Sequence, residues 1–144
     1  VTALRDADSN MLNQVSAALS ATVYQRCLYV IEEKDRLFKA CAAMEIGDVQ
    51  NLGKYLFETH AGLKDQYAVS CEEVDLLVGA ATQQRGVYGA RLMGGGFGGC
   101  VLLLIDTGFA QQAIKEISSQ YATVFGAYPE IYSVQASDGA MLLQ

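Results

Sequence analysis

The sequence has few basic residues and no long apolar run, the features by which proteins bind nucleic acids or enter membranes. Its 144 residues carry 10 Lys and Arg against 16 Asp and Glu, which gives a net charge of −6. Because nucleic acids and anionic membranes are bound through basic patches, we expect neither kind of partner. No apolar run approaches the roughly 20 residues that a membrane helix needs. The opening VTALRDADSN lacks the basic and apolar segments of a signal peptide, so no signal peptide is expected.

Metal-binding side chains are also scarce. The chain has one histidine, His60, and its four cysteines form no C-x-x-C pair. Three of the cysteines lie on apolar faces, which predicts buried thiols in a reducing cytoplasm and no metal site. The cysteines are Cys27, Cys41, Cys71 and Cys100.

The first half of the chain has a helical pattern. Apolar spacing predicts four helices before residue 82, of which the second runs from Ala21 to Ile46. The predicted start signals of the other three are Asp8 or Ser9, Asp48, and the capping box of Ser70 with Glu73.

The pattern changes at Gly86. VYGARLM and CVLLLI predict two strands, residues 107–126 predict a helix, and the alternating EIYSVQA predicts a last strand. Helices followed by β–β–α–β favour an α+β fold in which helices cover one face of an antiparallel sheet. We find no linker or repeat, so residues 1–144 are predicted to form a single domain.

Five of the 14 glycines lie in GGGFGG, residues 94–99, between the two predicted strands. A dinucleotide fingerprint is excluded because a strand, not a helix, follows the last glycine. A P-loop is excluded because Cys100 and Val101 stand where Lys and Ser or Thr are required. A flexible linker is excluded if Phe97 packs in the core, as we expect. A tight turn and an anion-binding nest both remain open.

The residues around these glycines are more specific. GVYGARLM followed by GGGFGGC resembles the third motif of the GHMP small-molecule kinases, and within them the GVYGARMTGGGFGGC of the galactokinase family. Four further stretches are similar to that family. They are LRD at 4–6, ETH at 58–60, LKDQYAVSC at 63–71 and ASDGA at 136–140.

The resemblance implies a ferredoxin-like C-terminal domain whose N-terminal catalytic domain is absent from this sequence. In the family, the whole enzyme transfers the γ-phosphate of ATP to the C1 hydroxyl of α-D-galactose with Mg²⁺. The catalytic Asp and Arg belong to the N-terminal domain, which is the implied partner. The fragment is therefore expected to be inactive and to bind no cofactor tightly, and to expose an apolar surface where that domain docks.

The resemblance also implies a site. Its residues are Gly94, Gly95, Gly96, Phe97, Gly98 and Gly99, which would form one wall of the substrate and ATP cleft. Possible cleft supports are His60, Asp65, Tyr67 and Arg91. The residue types alone favour structural roles. His60 would be a hydrogen-bonded core histidine, Arg91 an ion-paired residue at a strand edge, and residues 32–36 a solvated helix face.

Three positions depart from the family pattern. Met93 replaces a Thr, Gly62 replaces a Ser and Tyr29 replaces a His, so family roles are not carried over to them. Two alternative functions stay open on the sequence. One is a kinase for another sugar, and the other is a non-catalytic sensor of galactose and ATP.

Overall fold

The computed structural model describes residues 2–135, 137 and 139. Five helices and a two-stranded sheet make up the described fold. The helices are α1 (Ser9–Val15), α2 (Ala21–Glu45), α3 (Val49–Asp65), α4 (Glu72–Ala81) and α5 (Ala110–Phe125), and the strands are β1 (Val87–Met93) and β2 (Cys100–Ile105). Short 3-10 turns at Leu4–Asp6 and Ser16–Ala18 flank α1.

Local capping explains where the early helices begin. The carboxylate of Asp8 accepts the amide of Met11 at the start of α1, and that of Asp48 accepts the amide of Asn51 at the start of α3. Both predicted caps are confirmed. The capping box predicted at Ser70 is wrong, because α4 starts one residue later, after Cys71, and the Ser70 hydroxyl donates to the side chain of Asp75 instead.

The strands β1 and β2 pair antiparallel, with Val87 opposite Ile105 and Met93 opposite Cys100. Helix α3 crosses β1 so closely that a Cβ built on Gly53 would lie 2.0 Å from the carbonyl oxygen of Tyr88. The approach is mutual, since a Cβ on Gly89 would lie 2.2 Å from the carbonyl oxygen of Gly53. Two glycines therefore let a helix and a strand pack backbone to backbone.

The main core lies between the sheet and helices α4 and α5. Its buried members are Val78, Ala80, Ala81, Ala90 and Ile117. Partly buried side chains from α3 and both strands, Phe57, Val87 and Leu103 among them, pack against this cluster. A second cluster of Ala7, Leu12 and Ile31 joins the start of the chain to α2. The predicted α+β class, with helices packed on an antiparallel sheet, is confirmed.

The last predicted strand is not formed in the described residues. Residues 128–135 take no regular structure, and Ile131, Tyr132 and Val134 are exposed at 53%, 71% and 73%. Alternation alone does not make a strand, because a strand also needs a partner for its backbone groups. Residue 136, the end of that prediction, and most of the ASDGA stretch lie outside the described residues.

Two predictions about burial are also wrong. All four cysteines are thiols, but Cys41 and Cys100 are exposed and the other two only half-buried. In the stretch 32–36, Glu33 accepts the hydroxyl of Thr59 at 2.9 Å and pairs with Arg36, so part of this face packs against α3.

Three large apolar side chains on α2, those of Leu37, Phe38 and Met44, are 59%, 67% and 60% exposed. In the part of the chain that the structure describes, no helix is long and apolar enough to cross a membrane.

Candidate functional site

The glycine window forms the loop of the β1–β2 hairpin, which we call the glycine loop (residues 94–99). Met93 and Cys100 are the last residues paired across the hairpin, so all six loop residues lie beyond the sheet. Gly94, Gly96, Gly98 and Gly99 have φ between +94° and +135°. Residues other than glycine rarely adopt such φ angles, so the backbone conformation at these four positions favours glycine.

One side of the glycine loop is held against the connection between α3 and α4 (residues 66–71). The amide of Phe97 donates to the carbonyl oxygen of Val69 over 2.7 Å. A Cβ on Gly96 would lie 2.6 Å from the same oxygen. The connection is itself tightly folded, with Ala68 at φ +58°. The loop is therefore anchored at its centre as well as at its two ends.

The other side of the glycine loop is open. A Cβ built on Gly94, Gly95 or Gly98 would meet nothing within 4 Å. Phe97 has φ +60° and is 76% exposed, so the expectation that it packs in the core is wrong. It helps to line a shallow cavity of about 230 Å³, together with Arg26 and residues 67–69. The backbone hydrogen bond at Phe97, rather than its side chain, ties the loop to the fold.

A buried polar network lies behind the last residues of β1. His60 on α3 is 5% exposed, and its Nδ1 accepts the amide of Leu92 over 3.4 Å. Its Nε2 lies 3.3 Å from Oδ1 of Asp75 on α4. Lys64 Nζ and Ser70 Oγ contact the same carboxylate at 3.1 and 2.6 Å. Because these groups come from α3, α4 and their connection, the network joins three elements to the strand that enters the loop.

The protonation states follow from this arrangement. Burial lowers the pKa of His60, and the attraction of Asp75 offsets that effect only in part. Since Nδ1 accepts the amide of Leu92, the neutral ring carries its proton on Nε2 and donates it to Asp75. Burial raises the pKa of Asp75, but hydrogen bonds from Ser70 and Lys64 outweigh it, so that the pKa is lowered overall.

The other three predicted support residues are Tyr67, Arg91 and Asp65. Tyr67 lies in the connection that holds the loop, and its ring packs on that of Tyr29 with centroids 5.2 Å apart. Arg91 Nε donates to the carbonyl oxygen of Leu92 at 2.9 Å, and none of the ion pairs between described residues includes Arg91. Asp65 is the exposed last residue of α3, and no hydrogen bond between described residues joins its side chain to the loop.

Sequence reasoning missed three contributors to this site. Lys64 and Asp75 complete the network around His60, and Val69 supplies the oxygen that anchors the loop. The spacing of His60 and Lys64 is one helical turn, which places both side chains on one face of α3. That spacing was available as a signal, whereas the role of the Val69 carbonyl follows only from the fold.

The site can present backbone amides and close contact, but little chemistry of its own. The glycine loop contains no carboxylate, hydroxyl, histidine or lysine that could act as a general acid, base or nucleophile. Among residues 2–135, 137 and 139, no three His, Cys, Asp or Glu side chains come together as a metal site. The open face is therefore suited to receive a ligand or another chain segment rather than to react with it.

Comparison with known proteins identifies the family of the chain. The family described as GHMP kinases C terminal matches residues 37–123, which is more than half of the chain. This span contains α3, α4, the hairpin with its glycine loop, and most of α5. The chain belongs to the GHMP kinase family, as a C-terminal domain.

Within that family, the similarity is to galactokinases. The chain is 40% identical to galactokinase of Thermotoga petrophila over 121 residues, which is 84% of this chain and 35% of that protein. It is 38% identical to human galactokinase over 140 residues, or 97% of this chain and 35% of that protein. The structure of Lactococcus lactis galactokinase complexed with galactose matches 89% of this chain and 33% of its own, with TM-score 0.83 and 29% identity. The chain thus spans about a third of these relatives.

Proposed function

We propose that the chain is the C-terminal domain of a galactokinase, which transfers the γ-phosphate of ATP to the C1 hydroxyl of α-D-galactose. The observation that carries this proposal is the open face of the glycine loop, in a domain similar to galactokinases over most of its length. Bare backbone at Gly94, Gly95 and Gly98 lets a ligand, or the segment that holds it, approach to contact distance. The loop would form one wall of the cleft between two domains.

In this proposal the domain helps to position the reactants and supplies no group that reacts. Phosphoryl transfer depends mainly on the placement of the reactants and on electrostatic stabilisation. The glycine loop can contribute placement and amide donors, while the catalytic Asp and Arg would come from the N-terminal domain. The chain by itself should therefore produce no galactose 1-phosphate.

The buried network supports the loop at the end of β1. His60 fixes the backbone of Leu92, two residues before the first glycine, and Asp75 holds the orientation of the imidazole. Tyr67 supports the connection that carries the Val69 carbonyl. We assign His60 and Tyr67 as positioning residues, and Arg91 and Asp65 as residues of the cleft margin.

No three ligating side chains come together among the described residues. The ligands for the Mg²⁺ that ATP-dependent kinases use would belong to the nucleotide and to the N-terminal domain. The exposed Leu37, Phe38 and Met44 on α2 are candidates for the surface on which that domain docks. Four cysteines present as thiols are consistent with a cytoplasmic enzyme.

The test uses the natural full-length protein and a side chain placed on the open face. Gly95 has no positive φ and open space around it, so Gly95→Val adds bulk without the strain expected at its neighbours. We expect kcat/KM for galactose and ATP to fall at least tenfold while the unfolding midpoint stays within about 2 °C. Gly79→Ala, at an equally open helical glycine on α4, is the matched control and should leave kcat/KM unchanged.

The other outcomes separate the alternatives. Normal kinetics in Gly95→Val would show that the open face is not part of the cleft. Phosphorylation of another sugar in preference to galactose would indicate a different sugar kinase. Binding of galactose and ATP without turnover by the full-length protein would indicate a sensor. Formation of galactose 1-phosphate by the 144-residue chain alone would refute the proposal that the catalytic groups lie in the N-terminal domain.

A further inference from the structure

Two of the positions that depart from the family pattern are in direct contact. Tyr29 on α2 is 5% exposed, and its ring lies over Gly62 on α3. A Cβ built on Gly62 would lie 2.5 Å from Cε2 and 2.6 Å from Cδ2 of that ring. Real Cβ atoms do not approach so closely, so the ring of Tyr29 occupies space that exists because Gly62 has no side chain.

This contact continues towards the glycine loop. The ring of Tyr29 packs on that of Tyr67, with centroids 5.2 Å apart and planes tilted by 38°. The amide of Tyr67 donates to the carbonyl oxygen of Gly62 over 2.9 Å. Gly62 and Tyr67, which both contact the ring of Tyr29, are therefore also hydrogen-bonded to each other at the end of α3. Two residues beyond Tyr67, the carbonyl oxygen of Val69 accepts the amide of Phe97.

The surroundings of Tyr29 suit a packing role. Burial, and to a lesser extent the nearby carboxylate of Glu33, raise the pKa of its hydroxyl to about 12. The phenol therefore stays neutral over the physiological pH range.

We propose that Tyr29 is a positioning residue for the glycine loop: its ring, seated over Gly62, holds Tyr67 and thereby the Val69 carbonyl that anchors Phe97. The inference rests on the proposed function in one respect, that the position of the loop matters for phosphoryl transfer. The geometric link itself can be tested without any activity measurement.

The test is amide hydrogen exchange in the natural full-length protein, followed by mass spectrometry on peptides that span residues 94–99. With Tyr29→Ala, we expect exchange in this loop at least tenfold faster than in the unmodified protein, while exchange in α5 is unchanged. Tyr29→Phe keeps the ring and should keep the protection. Ile31→Ala is the matched control, because Ile31 is equally buried on α2 but packs against Ala7 and Leu12. It should lower the unfolding midpoint without faster exchange in the loop.

A second pair of variants tests the contact from the side of α3. Gly62→Ala alone should speed exchange in the loop, because its new methyl group displaces the ring. Added to Tyr29→Ala, which removes the ring, Gly62→Ala should have no further effect. If Tyr29→Ala does not fold, Tyr29→Leu and Gly62→Ala give the same comparison.

The proposal is overturned if exchange in the loop is unchanged in Tyr29→Ala, or if it rises equally in α5. It is also overturned if the effects of Tyr29→Ala and Gly62→Ala simply add. Absence of galactose phosphorylation by the unmodified full-length protein would refute the proposed function and would leave the exchange result to decide the role of Tyr29.

Discussion

The anchor of the glycine loop makes one substitution especially informative. Gly96 has φ +94°, and a Cβ there would lie 2.6 Å from the carbonyl oxygen of Val69. An alanine at such an angle costs about 1–2 kcal/mol in backbone strain. The overlap also forces apart the hydrogen bond from Phe97 to Val69, which contributes about 1 kcal/mol. We therefore expect Gly96→Ala to lower the free energy of unfolding by about 2–3 kcal/mol.

The neighbouring residue provides the control. Gly95 has no positive φ and nothing within 4 Å of its Cβ position, so Gly95→Ala should change the free energy of unfolding by less than about 0.5 kcal/mol. The assay is urea unfolding of the 144-residue chain, with the slope on denaturant checked for constancy. Equal effects of the two substitutions would refute the claim that the loop is anchored at Gly96 through the Val69 carbonyl.

Two further predictions concern stability. Burial lowers the pKa of His60, so the unfolded chain binds a proton that the folded chain does not, and the free energy of unfolding should fall as the pH drops below 6.5. A second loss should begin near pH 3.8, where Asp75 of the unfolded chain takes up a proton while the folded carboxylate, whose pKa is lowered, stays ionised. Urea titrations at several pH values should show that His60→Gln removes only the first loss. Gly53→Ala should destabilise the chain by about 2–3 kcal/mol, because its Cβ would overlap the Tyr88 carbonyl at 2.0 Å, whereas Gly79→Ala in the open helix α4 should stabilise it by about 0.5–1 kcal/mol. Thermal unfolding of the two variants side by side checks the opposite signs, and a stabilising Gly53→Ala would contradict the close crossing of α3 and β1.

Much of the fold was predictable because local rules and tertiary packing agree. The caps at Asp8 and Asp48, the apolar spacing of Ala113 and Ile117 in α5, and the two strands around the glycines were all confirmed. The position of the glycine loop also followed from sequence, since a cluster of glycines between two apolar strands predicts a hairpin.

The errors lie where the outcome depends on contacts between distant segments. The hydroxyl of Ser70 was expected to cap α4, but it donates to the carboxylate of Asp75, where Lys64 and His60 also converge. The alternating residues after Pro129 were expected to form a strand, but in the described structure they have no partner. Neither outcome follows from periodicity, because both depend on which distant groups come within reach.

The sequence by itself determined the helices, the hairpin and the absence of catalytic side chains from the glycine loop, because each of these depends on residue types at short spacing. The tertiary structure alone decided which face of the loop is open and which is anchored. It also decided that Phe97 anchors the loop through its backbone amide while its side chain is exposed. The ring of Tyr29 over Gly62 is likewise a result of tertiary packing. These features join residues that lie about 30 positions apart, and only the packing of α2, α3 and β1 brings them into contact.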